Sequence, residues 1–386
     1  MHQATESEKA ARVLKVQLEH SDITFEDGVP VARPSDRLRF HHFSSSFGAD
    51  DQGFEAQLLR LGSALFDEID LRLPEDAPAP LSNRVLLLRR KMAVSKWLQA
   101  AVAGAVDQDL LGSQENGPAR VFALLTGHQV ERAAQTALDA GDVRLATLIA
   151  RIGGNQSFRN EVALQLEKWS AHRIDSEISP DYRKIYSLLA GLVGTSAGSH
   201  SADRADASPE VFVPERLDWK RAFGLHLWYA SAFDADLSDG LQRFQDALSS
   251  AHAPALPVPW YQEASLSTAE ARRWHTPSQT LDTLYLLLNL YADTAVSLER
   301  VLDPSTFGPT PLDFRLPWHL YTILALALRS RDFADRSATG AAEEAGFSAA
   351  ANNLTSSYAA QLEELGLWDQ AILVLLHLEL PESCVL

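Results

Sequence analysis

The chain has 386 residues, with 51 Asp and Glu against 34 Lys and Arg, so its formal net charge at pH 7 is −17. A surface this acidic repels phosphate backbones, which argues against direct nucleic-acid binding as the main role. Hydrophobic residues make up 46% of the sequence, enough for a sizeable core. No run reaches the roughly 18 apolar residues that predict a membrane-spanning helix. We therefore expect a globular protein that does not insert into a membrane.

The chain has a single cysteine, Cys384. One cysteine excludes a disulfide framework and a cysteine-based zinc site, and it fits a reducing compartment such as the cytosol or nucleus. The N-terminus lacks the basic-then-apolar pattern of a signal peptide.

The first 34 residues predict an extended segment. Val13–Phe25 alternates apolar and polar residues, which favours a strand, and Asp27-Gly28 follows as a turn. Pro30 and Pro34 end the segment.

From residue 36 onward the apolar period is helical, with glycines and prolines marking the ends of the helices. Loops as short as these favour antiparallel neighbouring helices. The predicted helices are Asp36–Phe47, Gly53–Leu71, Asn83–Val106, Ala119–Leu125, Gln129–Ala140, Val143–Ile152, Phe158–His172, Pro180–Leu192, Leu217–Tyr229, Leu237–Ala251, Leu281–Asp293, Ala295–Leu302, Pro317–Arg331, Ala341–Leu365 and Trp368–Leu380.

Two segments between these helices predict no regular structure. Thr195–Pro209 is small and polar without an apolar period, so we expect a disordered surface loop. Ala253–Thr280 contains four prolines and is expected to be irregular. No fixed period of 34 or 40 residues occurs, which disfavours a regular repeat solenoid.

Motifs for phosphate binding and metal-dependent hydrolysis are missing: the sequence contains no GxxxxGK[ST], GxGxxG or HExxH. Four local groups still invite a functional interpretation, and each has a simpler structural one, namely a buried stripe or a solvated helix face. These groups are His41 with His42; Asp67, Glu68 and Asp70; His226 with Trp228; and Arg89, Arg90 and Lys91. None joins further groups at a plausible spacing, so we predict no catalytic residue, no metal site and no cofactor.

Several blocks, in the same order throughout, resemble a known family. They are RRKMAVSKWL at Arg89–Leu98, the stretch VFALLTGHQVERAAQTALDAGDVRLATLIARIGG that opens Val121–Gly191, LDWKRAFGLHLWY at Leu217–Tyr229, LDFRLPWHLYTIL at Leu312–Leu324 and SYAAQLEELGLWDQAILVLLHL at Ser357–Leu378. They are similar to the scaffold nucleoporin of the outer-ring Y complex of the nuclear pore, which is the C-terminal product of a self-cleaving GLFG-nucleoporin precursor. The likeness runs from about Phe54 to the end of the chain.

The resemblance implies an all-α fold, the irregular folded-back helical stack of the ancestral coatomer element. Residues 35–386 would form one scaffold domain, with a crown at roughly 117–251 and a trunk at roughly 53–106 and 278–380. Residues 1–34 would be a short β-like remnant of the family's longer propeller-binding insertion.

The resemblance also implies protein partners. The crown would dock on a neighbouring Y-complex nucleoporin through apolar residues, for which the candidates are Val130, Ala134, Leu138, Val143, Leu148, Phe158 and Leu164. Strands donated to a β-propeller coat subunit would carry Leu14, Val16, Leu18, Ile23 and Phe25. Ala371–Leu378 is strongly apolar near the chain end, so we expect this chain to be part of a longer protein whose missing tail binds other outer-ring nucleoporins.

The function implied is a non-enzymatic coat scaffold at the nuclear pore complex of the nuclear envelope, supporting transport of protein and mRNA. Two alternatives remain open at this point. One is a vesicle-coat scaffold of the same fold, and the other is an all-helical enzyme with an unrecognised site.

Overall fold

The secondary structure is dominated by helices. A computed structural model describes residues 6–26, 28–74, 76–153, 156–196, 198, 208–263, 280–336 and 348–379. The helices are α1 (Glu6–Glu19), α2 (Phe40–Ser44), α3 (Phe54–Phe66), α4 (Ala79–Gly112), α5 (Gly117–Thr126), α6 (Val130–Asp139), α7 (Val143–Ile149), α8 (Gln156–Ala171), α9 (Pro180–Leu189), α10 (Trp219–Leu225), α11 (Leu237–Leu248), α12 (Trp260–Glu263), α13 (Thr283–Ala292), α14 (Leu298–Val301), α15 (Arg315–Tyr321), α16 (Ala349–Glu364) and α17 (Trp368–Leu375). The strands are β1 (Ser21–Glu26), β2 (Val29–Pro34), β3 (Thr195–Ser196) and β4 (Val211–Phe212), which pair as two small antiparallel sheets. The predicted all-α class with a short β segment near the N-terminus is confirmed.

Two helices continue into wider turns. α10 passes into a π-helical turn at His226–Ala230, and α15 passes into another at Thr322–Ala327. Such turns insert an extra residue into the helix and re-aim the side chains that follow.

The described residues form two compact units. Those within 1–68, 258–265 and 277–386 make the first unit, and those within 69–257 make the second. The range 53–106 predicted for one arm of the trunk therefore contributes α3 to the first unit and α4 to the second.

In the first unit, α2 and α3 pack closely together at Gly62 of α3. A Cβ atom at Gly62 would lie 2.3 Å from Cδ1 of Phe40, so only a glycine lets the buried ring approach this closely. Asp67, just after α3, accepts backbone hydrogen bonds from Phe40 (3.0 Å) and His41 (2.8 Å) at the start of α2. One carboxylate thus satisfies amides that the short helix leaves unpaired.

In the second unit, side-chain caps begin three of the short helices. Asn116, Asp142 and Ser179 accept hydrogen bonds from the backbone of α5, α7 and α9 respectively. The caps and glycine stops are local features, so the predicted bounds of these helices agree with the structure to within about three residues. The long helix α4 packs against α5, α10 and α11.

The strand predicted from residue 13 is wrong as far as residue 19, because α1 occupies this stretch. Its inward face consists of Ala10, Val13, Leu14 and Gln17, all at most 1% exposed and spaced as on a helix. Gln17, the last of these four residues, is polar although it is buried. The apolar residues alone therefore did not show the helical period. The segment 1–34 is therefore not extended throughout, although β1 and β2 do form an antiparallel hairpin with Gly28 at a positive φ of 86° between them. Asp27 of the predicted turn lies outside the described residues.

The loop predicted to be disordered at Thr195–Pro209 is partly ordered. Its first two residues form β3 and pair with β4. The buried Arg183 guanidinium donates to the carbonyl of Pro209 (2.7 Å) and to Oγ of Ser196 (3.3 Å). Residues 197 and 199–207 lie outside the described residues, as do 264–279 of the predicted irregular segment and 341–347 of the predicted helix Ala341–Leu365.

Candidate protein-docking surfaces

The seven crown candidates lie on three successive helices, α6, α7 and α8, of the second unit. Leu138, Val143 and Leu164 are exposed by 47%, 60% and 50%. Val130, Ala134 and Leu148 are half-buried, whereas Phe158 is buried at 2% exposure. Three candidates can therefore meet a partner directly.

The residues that each crown helix buries determine which of its apolar side chains remain exposed. α6 buries the small residues Ala133 and Ala137, which lets it approach α5 closely and leaves Leu138 facing outward. α7 buries Leu145 and Ile149 on its inner face. Large exposed apolar side chains on adjacent elements mark an interaction surface, whereas a scattered one needs no explanation.

The five propeller candidates divide between α1 and β1. Leu14 is fully buried on α1, and Val16 and Leu18 are half-buried there. Ile23 and Phe25 lie on β1 with 51% and 73% of their side chains exposed. Leu14 is a core residue of the first unit, so its assignment as a strand residue is wrong; the two β1 residues are accessible.

The outer edge of β2 is blocked. The register pairs Ile23 with Ala32 and Phe25 with Pro30, and the Ala32 N–H turns away from β1 to donate to the carbonyl of Leu376 at 2.8 Å. Pro30 and Pro34 have no N–H to offer on the same edge. Because opposite residues alternate between bonded and non-bonded pairs, the N–H and C=O groups of Ile23 and Phe25 point outward from β1. This edge can accept another strand.

Sequence reasoning missed several exposed apolar side chains. The most exposed are Phe233 (80%), Leu111 (70%), Leu312 (69%), Trp368 (62%) and Ile372 (59%). For Trp368 and Ile372, the sequence did carry a signal: they are four residues apart on α17, which places both side chains on one face of the helix. Phe233 stands alone among small and acidic residues in the sequence SAFDAD, a pattern with no helical or strand period.

The first two sequence groups that invited a functional reading stabilise local structure. His41 Nδ1 lies 3.1 Å from Oδ2 of Asp67, the residue that caps α2. His42 Nδ1 accepts the backbone N–H of Arg39 at 3.0 Å, and its ring lies 4.1 Å from that of His41. Oε1 of Glu68 accepts a hydrogen bond from Nη2 of Arg39 at 3.0 Å, within an ion pair at the surface.

The remaining two groups, Arg89–Lys91 and His226 with Trp228, likewise stabilise local structure, in the second unit. Arg90 is buried, and Nζ of Lys91 donates to two backbone carbonyls. The Trp228 indole donates to Oγ of Ser95 at 2.7 Å, and His226 lies against Phe244. Within the described parts of the chain, no group of three or more His, Cys, Asp or Glu side chains could hold a metal ion. No helix among these residues is long and apolar enough to cross a bilayer.

Titratable groups with shifted pKa values occupy helix junctions. Burial lowers the pKa of His128 to about 4, and its ring stacks on Trp228 with centroids 4.9 Å apart. Burial, together with the hydrogen bond and charge of Asp142, raises the pKa of Tyr182 to about 12. These shifts have packing causes.

A cavity of about 330 Å³ opens in the second unit near β3 and β4. Its lining is mainly apolar, with His226 and His252 among the polar members and no Asp or Glu among the described residues that line it. Burial, with a smaller contribution from the charge of Arg243, lowers the pKa of His226 to about 4.

Comparison with known proteins identifies the family. The family model described as "Nup96: Nuclear protein 96" matches residues 119–384, more than half of the chain. Among curated proteins, the chain is 27% identical to nucleoporin nup189 of Schizosaccharomyces pombe over 98% of its own length and 20% of that protein. It is 27% identical to the nuclear pore complex protein Nup98-Nup96 of Drosophila melanogaster, over 89% of the chain and 16% of that protein.

A third relative is the nuclear pore complex protein NUP96 of Arabidopsis thaliana, 29% identical over 79% of the chain and 26% of that protein. The chain thus spans between 16% and 26% of the length of these three relatives. The matched region includes α6, α7 and α8, and with them every crown candidate. The chain belongs to the Nup96 (nuclear protein 96) family of nucleoporins.

Proposed function

We propose that this chain is a structural scaffold of the outer-ring coat of the nuclear pore complex. It has no catalytic role, and it binds neighbouring nucleoporins through the crown formed by residues 117–251. The observation that carries the proposal is that Leu138, Val143 and Leu164, on three successive helices, are exposed apolar residues in a chain that belongs to a nucleoporin family. As part of the pore at the nuclear envelope, the scaffold supports transport of protein and mRNA.

The resemblance supplies the finer architecture. We propose a trunk-and-crown element of the ancestral coatomer type, within a Y-complex subunit whose tail binds other outer-ring nucleoporins. All crown residues fall in one compact unit, which supports treating the crown as one docking body.

The hairpin supplies a second proposed interface. The accessible edge of β1 suits β-augmentation, in which an incoming strand pairs with free backbone groups. We propose that a β-propeller coat subunit adds to this edge. The side chains of Ile23 and Phe25 would set its register.

The test is a mixing experiment on size exclusion with the crown partner from the same organism. Replacing Leu138 or Leu164 with Asp should abolish co-elution, because the carboxylate would be buried without a partner in the complex. Leu312→Asp is the matched control: it is equally apolar, 69% exposed and located in the first unit. Circular dichroism and melting should match wild type in all three variants. Wild-type chain that fails to co-elute with any outer-ring nucleoporin would overturn the proposal.

A further inference from the structure

Three histidine rings, His20, His41 and His42, lie against one another in the first unit and form what we call the histidine cluster. His20 lies between α1 and β1, whereas His41 and His42 belong to α2. The His42 ring is in the middle, with its centroid 4.1 Å from that of His20 and 4.1 Å from that of His41. The cluster therefore joins the base of the β1–β2 hairpin to the short helix α2.

The two outer rings donate hydrogen bonds. His20 Nδ1 lies 3.0 Å from the carbonyl oxygen of Val16, so this nitrogen carries a proton. His41 Nδ1 lies 3.1 Å from Oδ2 of Asp67 and donates to that carboxylate. Because both nitrogens of an imidazolium are donors, either ring can take up a second proton at Nε2 and keep its bond.

The middle ring accepts a hydrogen bond instead. The backbone N–H of Arg39, the residue before α2, donates to Nδ1 of His42 at 3.0 Å. The guanidinium of Arg39 is directed to Glu68, where Nη2 donates to Oε1 at 3.0 Å. Protonation of His42 would place a second N–H on Nδ1, facing the N–H of Arg39. Two donors cannot share one hydrogen bond, so a charged His42 loses its place at the start of α2.

The surroundings of His42 also disfavour its charged form. Burial lowers the pKa of His42, and the charges of His41 and His20 lower it further. The carboxylate of Asp67, which is 6% exposed just after α3, acts in the opposite direction but is already bound to His41. The three rings are therefore compatible with their close packing only while His42 is neutral.

The base of the hairpin depends on one member of the cluster. The backbone N–H of Ser35, just after β2, donates to the carbonyl of His20 at 2.8 Å and closes the hairpin at its base. β2 is held separately, because the N–H of Ala32 donates to the carbonyl of Leu376. Loss of the contact between His20 and His42 would thus free the base of the hairpin and leave β2 attached.

We propose that the histidine cluster is an acid-sensitive contact, which holds the hairpin base against α2 at neutral pH and releases it in mild acid. In the released state His42 titrates at its ordinary pKa of about 6.5, so this state binds more protons than the closed one below that pH. The closed state therefore loses stability as the pH falls below about 6.5. Because β1 begins one residue after His20, the cluster controls how the edge of β1 is presented.

The test is native-state hydrogen exchange of the Ser35 amide in the 386-residue chain, corrected for the intrinsic exchange rate at each pH. If the released state binds one more proton, protection of this amide should fall by up to about tenfold per pH unit below about pH 6.5. The Thr24 amide, opposite Val31 inside the hairpin, should not follow. The ring resonance of His42 should titrate with a midpoint below about 6.5, and this needs no variant.

A substitution that keeps the hydrogen-bond acceptor but removes the proton isolates the role of His42. A glutamine at the third position of a helix bonds back to the N–H of the residue before the helix, so His42→Gln keeps the bond to Arg39. It should abolish the pH dependence of Ser35 protection. His252→Gln is the matched control, because it removes an imidazole with a 61% exposed side chain from the second unit. It should leave the wild-type dependence unchanged.

Four results would each overturn the proposal. They are Ser35 protection that does not change with pH in wild type, an unchanged pH dependence in His42→Gln, Thr24 protection that falls in step with that of Ser35, and a His42 midpoint at or above about 6.5. The experiment contains no partner protein, so none of these results bears on docking at the crown or at the edge of β1.

Discussion

Arg315 on α15 holds Glu55 on α3 in a two-pronged ion pair within the first unit. Nη1 donates to Oε2 at 3.0 Å, Nη2 donates to Oε1, and the side chains are 5% and 21% exposed. Burial alone would lower the pKa of Arg315, but the hydrogen bond and charge of Glu55 raise it above its ordinary value. The pair ties together helices that are 260 residues apart in the chain.

Breaking this pair should destabilise the first unit strongly. Glu55→Ala leaves a buried guanidinium without its carboxylate, which costs about 3–5 kcal/mol. Glu19→Ala breaks the exposed pair with Lys15 and should cost no more than about 0.5 kcal/mol. Urea unfolding of both variants measures the difference. Equal urea midpoints for the two variants would show that water screens the Arg315–Glu55 pair as fully as the exposed Lys15–Glu19 pair.

Two glycine substitutions on helices should have opposite signs. Gly62→Ala forces a Cβ atom against the buried ring of Phe40 and should destabilise by about 1–3 kcal/mol. Gly104→Ala, on the exposed side of α4 with nothing within 4 Å of the new Cβ, should stabilise by about 0.5–1 kcal/mol. Thermal melting separates them. A neutral Gly62→Ala would mean that the Phe40 ring moves aside at no cost.

Local chemistry explains which parts of the fold were predictable. Asp142 directly precedes the predicted helix Val143–Ile152, and its carboxylate accepts the backbone N–H of Leu145 at 2.8 Å, so this cap lies entirely within one local stretch of sequence. Gln17 shows the opposite case. Its Oε1 accepts the hydroxyl of Thr322, 305 residues away, so a polar residue is buried in α1 and the period looked like that of a strand. A buried polar residue whose hydrogen-bond partner lies this far along the chain cannot be inferred from neighbouring residues alone.

The candidate surfaces were harder to predict for a related reason. Phe158 and Leu164 are both apolar members of α8, yet one is buried and the other is half exposed. Which face of a helix turns inward depends on where the next helix packs, and the spacing of apolar residues on α8 permits either. The sequence around Phe233 has no helical or strand period. The backbone of its loop is held by hydrogen bonds from Lys91 and Arg159, which lie on helices distant in the sequence.

The buried histidines predict that stability falls in mild acid. The folded-state pKa of His128 is about 4, below the unfolded value of about 6.5. The unfolded chain therefore binds more protons between these values, so the free energy of unfolding decreases as the pH falls from about 6.5 towards 4. His226 and His377, whose pKa values are also lowered to about 4 by burial, act in the same direction.

Replacing one of these groups should flatten the pH profile. His128→Asn keeps a residue type that tolerates the positive φ of 55° at this position. It should reduce the slope of unfolding free energy between pH 6 and 4.5 by up to about 1.4 kcal/mol per pH unit, which is one proton. Gly104→Ala should shift the curve without changing its slope. Parallel curves for His128→Asn and wild type would show that His128 does not contribute.

A pair of proline substitutions in β1 tests the hairpin as a docking edge. The Ile23 N–H points away from β2, so Ile23→Pro should leave the hairpin intact while removing a donor that an incoming strand needs. Thr24 faces the bonded side opposite Val31, so Thr24→Pro should disrupt the hairpin itself. Titration calorimetry with the propeller subunit should show at least about a tenfold loss for Ile23→Pro, equivalent to about 1.4 kcal/mol. Nuclear magnetic resonance of the hairpin amides should change widely only in Thr24→Pro. Undiminished affinity of Ile23→Pro would mean that the propeller is held by side chains or by another surface, because a paired edge cannot lose that donor without weakening.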